Sequence, residues 1–205
     1  MLNSALAIIR DEHRSLAAVI QGFRYLMQGM RESRAKPDFK LLRAMVCYFE
    51  EFPEKLHHPK EEAYLFASLR RRTNEADRVI AELEQQHLKS ARHVRDLELA
   101  LSRYEAGKRG GLQRFAAAAE AFSEQTLAHM ALEESTVISL AMQYLTPEDW
   151  VEIGAAFGKN GDPRFEADAD LEYRDLFSRI VNLTPQGALR TSRSLDGPAG
   201  RRRPD

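Results

Sequence analysis

Two histidine–glutamate pairs, His58 with Glu62 and His129 with Glu133, are spaced i, i+4. On a helix that spacing brings both side chains of a pair to one place. Imidazole with carboxylate is the donor set of non-haem iron and related divalent cations. Phase adds two more histidines. Leu6, Ile9, His13, Leu16, Ile20, Phe23 and Met27 follow alternating steps of three and four, and so do Ile80, Leu83, His87, Ser90, Val94, Leu97 and Leu101. Such a step is the buried stripe of an amphipathic helix, so His13 and His87 are expected to face the core. Phe122, Thr126, His129, Glu133, Val137 and Leu140 form a third stripe.

In "HHPKEEAYLF", residues 57–66, the stripe His58, Glu62, Leu65 and Leu69 ends in leucines, whereas His57, Glu61, Tyr64 and Ser68 ends in polar groups. His58 and Glu62 are therefore expected inside, and His57 and Glu61 at the rim or in water. A kink at Pro59 is the one feature that would rotate this stripe. An inward histidine taken alone is most simply a hydrogen-bonded core residue. Two buried carboxylates change that balance, because unpaired they cost on the order of several kcal/mol and no lysine or arginine shares the stripes. A bound cation removes the difficulty. If both carboxylates bridge two cations, the six residues supply about four bonds to each, an oxo or hydroxo bridge adds one, and about one position per cation is left for a small molecule such as oxygen. Without bridging, one cation is nearly saturated and the site is structural.

The elements that must position these residues are long helices. Segments of helical period cover roughly 3–30, 38–72, 74–105 and 110–144, separated by "GMRESRAKPD", a short break near Thr73 and "GKRGG", with no β-branched alternation to signal strands. Short connections between long helices favour antiparallel neighbours. The expected fold is all-α, an up-down-up-down four-helix bundle over residues 1–145. At ~1.5 Å rise per residue, His13, His58, Glu62, His87, His129 and Glu133 fall within one or two turns of one level in such a bundle. "LTPEDW" restarts a helix with Thr146 as cap and Pro147 in the first turn. A second amphipathic helix is expected at 168–182, packed on the bundle or on a second copy in a homodimer. Residues 146–183 thus read as a helical extension, and 184–205 as a disordered tail ending in "RRRPD".

The 205 residues carry a net charge of −1 from many charges of both signs, so no global basic field argues for nucleic acid. No stretch approaches the ~20 apolar residues needed to span a bilayer, and the first ten residues do not read as a signal peptide. The expected location is the cytoplasm. The single cysteine, Cys47, excludes an internal disulfide and reads as a small core residue rather than a nucleophile.

"RDEHRSL", "HHPKEEAYLF", "LEQQHLKSARHVRDL" and "HMALEES", in this order, resemble the hemerythrin-like proteins of the HHE cation-binding family. The resemblance implies a four-helix bundle holding two non-haem iron ions, oxo- or hydroxo-bridged, with His13, His58, His87 and His129 as terminal ligands and Glu62 and Glu133 as bridges. Another divalent metal would suit the same donors. Oxygen-carrying members have a second histidine one turn after the first on the third helix. Here that place is Ala91. The implied four-histidine centre is more similar to members that sense or handle oxygen, nitric oxide or iron. The implied partner is a small diatomic ligand. The residues offer no dedicated acid, base or substrate pocket, so binding or sensing is preferred to the alternative, a di-iron oxidoreductase turning over peroxide or nitric oxide.

Overall fold

The computed structural model describes residues 2–159, all of whose regular elements are helical. Helix α1 spans Leu2–Arg31. Helix α2 covers residues 39–72 and opens on Asp38, whose carboxylate accepts from the Leu41 N–H at 3.0 Å; this satisfies one of the unpaired donors at a helix start. It ends at Thr73, which turns to extended backbone. Helix α3 spans Asp77–Glu105. Gly110 then takes the left-handed conformation with φ 71°, which glycine adopts without steric penalty, and α4 follows over residues 111–144. Helix α5 spans Pro147–Gly158. It starts in a capping box between Thr146 and Asp149.

The packing partners are α3 along α4, α1 against α4 and α5, and the first part of α2 against α3. Two apolar cores result. One contains Leu16, Ile20, Phe23, Phe49, Phe52, Leu97, Phe115 and Phe122. The other contains Ile9, Leu65, Leu69, Leu83, Val137, Trp150, Ile153 and Phe157. Between them in α1 lie Glu12 and His13, in α2 His57, His58 and Glu61, in α3 His87, and in α4 His129 and Glu133, all buried. A polar layer thus divides the hydrophobic interior.

Helices α2 and α4 are not α-helical throughout. Glu50–His57 and Glu61–Phe66 in α2, and Glu133–Val137 in α4, are π-helical. The i→i+5 bonds are explicit: the His58 N–H donates to the Pro53 carbonyl, the Ala67 N–H to Glu62 and the Ile138 N–H to Glu133. Two prolines account for the widening in α2. Pro53 and Pro59 have no N–H to donate, and a proline ring clashes with the carbonyl four residues back, so the backbone opens its turns around them. π-Helical segments occur mostly at functional sites, and these three flank or contain every polar residue that α2 and α4 bring to the layer.

Cys47 is exposed, contrary to the expected core position. Leu41, Leu42, Met45, Val46, Tyr48 and Phe49 take the inward places of that segment. Partial desolvation by its neighbours pushes its thiol up, with Glu51 and Glu50 adding to the effect, so it is no activated nucleophile. The expected helix at 168–182 and tail at 184–205 lie outside the described residues. Among those described, no helix is long and apolar enough to cross a membrane.

Candidate metal centre

Eight residues from four helices form the polar layer, and none is more than 5% exposed. Ligand atoms of seven of them, all but Glu12, fall into two groups, His58, Glu61, His87 and His129 in one and His13, His57, Glu61 and Glu133 in the other; within each group one atom from every residue lies within 4.8 Å of the rest. Glu61 belongs to both. Its Oε1 lies 2.8 Å from His57 Nε2, and its Oε2 lies 3.3 Å from His87 Nε2. Glu133 Oε2 is 3.2 Å from His13 Nε2.

The expected phase of "HHPKEEAYLF" is corrected here. Glu61 is fully buried, whereas the Glu62 side chain is 46% exposed. His57, expected at the rim, is as deeply buried as His58. Wider turns put more residues in each circuit, so consecutive side chains diverge by less than the α-helical ~100°. Adjacent His57 and His58 both fit the inward arc, and Glu61, four residues after His57, comes in with them. The structure brings together His13, His58, His87, His129 and Glu133 as expected, replaces Glu62 by Glu61, and adds His57 as a fifth histidine.

Outside the two groups, the far nitrogens of four imidazoles are held. Nδ1 of His13 meets Glu134 at 2.9 Å, Nδ1 of His57 meets Glu12 at 2.6 Å, and Nδ1 of His87 meets Glu62 at 2.7 Å. Nδ1 of His129 donates to the Gln86 side-chain oxygen at 3.1 Å. This is how histidines that ligate metals are oriented, since a proton kept on Nδ1 leaves the Nε2 lone pair pointing inward. Glu62 therefore has a place after all, one layer further out than expected. Glu12 was missed, although its signal is in the sequence: Ala5, Ile9, Glu12, Leu16, Val19 and Phe23 make a second stripe of three-four steps, all buried.

The inward atoms have only one another as partners. Nε2 of His13 and His57 face each other at 3.1 Å, and Nε2 of His87 and His129 at 3.3 Å. The buried carboxylates of Glu61 and Glu133 make no hydrogen bond of good geometry, their neighbours being imidazole nitrogens at 2.8 Å (His57), 3.2 Å (His13) and 3.3 Å (His87). No lysine or arginine is among the buried polar residues described. The titration behaviour shows the same strain. Burial, with Glu61 beside it, pushes the Glu133 carboxyl up to about 7. Burial and the neighbouring imidazoles push His129 down to about 3. Burial works against protonation of His57 too, but the Glu61 and Glu12 carboxylates outweigh it and raise that imidazole to about 9. Without a cation, only protonated imidazoles offset these buried carboxylates, and the carboxylates accordingly raise His13, His57 and His87 above the ordinary imidazole value. A pair of divalent cations fits this donor set: three imidazoles and a carboxylate on one side, two imidazoles and two carboxylates on the other.

A family model described as the Hemerythrin HHE cation binding domain matches residues 4–141. Comparison with curated proteins and with solved structures gave no match.

Proposed function

Because the chain belongs to the hemerythrin HHE cation-binding domain family, we propose that it is a non-haem di-iron protein that binds or senses oxygen, nitric oxide or iron. The observation that carries this reading is the sharing of the buried Glu61 carboxylate between two groups of histidines. One carboxylate common to two donor sets suits a bridging ligand better than two independent sites. His58, His87 and His129 would hold one ion, His13 and His57 the other, with Glu61 bridging and Glu133 completing the second set. When bound, the irons supply a reducible centre able to take a small ligand. The protein's own part is to orient the donors through their far nitrogens and to keep them dry.

The different composition of the two donor sets suggests where that ligand binds. Each set has four donor residues, and the second, with Glu133 in place of a third imidazole, is taken as the side where a diatomic molecule exchanges. Short connections at residues 73–76 and 106–110, with α3 packed along α4, support the up-down-up-down arrangement of the bundle over residues 1–145. A lone cysteine suits a cytoplasmic protein.

Metal analysis with visible spectroscopy tests the reading. The purified chain, loaded anaerobically with ferrous iron, is expected to retain about two irons and to develop, on admission of air or nitric oxide, an absorption band that His58→Ala and Glu133→Ala abolish. Retention of both irons by both variants would refute the site.

A further inference from the structure

The matched family region ends at residue 141, and α5 lies beyond it. That helix is not a loose appendage. Arg72 of α2 grips Asp149 with two hydrogen bonds, of 2.8 and 3.0 Å, at its start. In its middle Gly154 lies against α1, where a Cβ would stand 3.6 Å from that of Ala5. At its end Lys60 Nζ donates to the Lys159 carbonyl at 3.3 Å. Both ends are thus tied to α2, the helix that carries His57, His58 and Glu61.

These ties place Phe157 against the candidate centre. Its ring is fully buried and stands edge-on to His57, centroids 6.0 Å apart and planes at 82°. The Lys60 ammonium lies 5.8 Å from the same ring. On another side His57 stacks on Phe52 at 5.9 Å and 27°. The imidazole is therefore clasped by one aromatic ring from its own helix and one that only α5 supplies. The other three-histidine set has no such ring from α5.

We propose that Phe157 is a positioning and specificity-determining residue. It would fix the His57 ring and close the two-histidine side of the centre to anything bulkier than a diatomic or linear ligand. The inference rests on the di-iron reading above. The closure follows from packing: a fully buried phenyl ring against an imidazole leaves no room for a ligand with a ring of its own. Removing it opens space next to the two-histidine side of the centre.

The test uses the full iron-loaded chain and compares Phe157→Ala with Ile153→Ala, a residue on the same helix and equally buried. Association of imidazole and of azide is followed by stopped flow, and the cobalt(II)-loaded proteins are compared by visible absorption. Phe157→Ala is expected to speed imidazole association by roughly tenfold, to change azide association far less, and to shift the cobalt bands. Ile153→Ala should lower stability comparably while leaving rates and bands unchanged. Equal effects of the two substitutions, or an unchanged imidazole rate in Phe157→Ala, overturn the proposal. If Phe157→Ala does not fold, Phe157→Leu is read by the same criteria, with a smaller acceleration expected. Failure of the unaltered chain to bind iron or cobalt would instead overturn the di-iron reading itself.

Discussion

Glu12 and Glu61 make the closest polar contacts to His57, 2.6 Å from its Nδ1 and 2.8 Å from its Nε2, and they divide the work between them. Glu12 orients the ring from outside; Glu61 faces the centre. Carboxylates that hold a ligating histidine typically contribute 10–100-fold to metal affinity, so Glu12→Gln is expected to weaken binding by roughly that factor without abolishing it, as a competition titration with a chromophoric chelator would register. Glu61→Gln should be far more damaging, because it removes a donor shared by both groups. Glu62→Gln should behave like Glu12→Gln or more mildly, its side chain being 46% exposed. An iron content lost in Glu62→Gln and kept in Glu61→Gln would reverse the inward and outward roles assigned to the two glutamates.

At the scale of elements, the π-helical turns decide which residues meet and the caps decide how firmly the helices are held. Helix α5 depends on Asp149, whose carboxyl the Arg72 guanidinium, with Thr146, holds at about 2 against an ordinary 3.8. A folded-state value below the unfolded one means the stabilisation is present above the unfolded value and disappears as the pH falls through the folded one. Arg72 is 40% exposed, which screens the pair. Asp149→Asn is thus expected to destabilise the metal-free chain by about 1–2 kcal/mol at pH 7, a gap roughly halved at pH 3, as read from urea unfolding. A gap independent of pH would mean that the capping geometry, not the charge, holds α5 in place.

At the scale of the whole molecule, the polar layer is a weakness built into the core. Glu12, Glu61 and Glu133 are buried with five imidazoles between two apolar clusters, and like charges in a dry interior oppose folding until something neutralises them. Metal loading should therefore be felt globally. A ligand at 100 times its dissociation constant adds about 2.7 kcal/mol, which for a domain of this size raises the melting temperature by roughly 5–10 °C. Thermal unfolding followed by circular dichroism, with and without chelator, checks this. A melting temperature indifferent to chelation would show that the layer is satisfied without a cation.

The sequence by itself determined the all-helical class, the four long segments, the helix at Pro147, and the inward phase of His13, His87, His129 and Glu133. Wherever the backbone is a regular α-helix, periodicity maps position onto direction, and those three histidines lie in such stretches. Glu133 opens a π-helical turn but continues the phase of the α-helix before it. The mapping fails in α2, where Pro53 and Pro59 accompany widened turns. A phase counted at the α-helical step turned Glu62 inward and left His57 and Glu61 at the rim. Pro59 marked the place of the error, but only the packed bundle, by burying His57, His58 and Glu61 on one arc, decided how far the stripe had rotated. The contact of Phe157 with His57 is tertiary in the same sense. No spacing relates a residue on α5 to one on α2 a hundred positions earlier, and only the packing of α5 on the bundle brings their rings together.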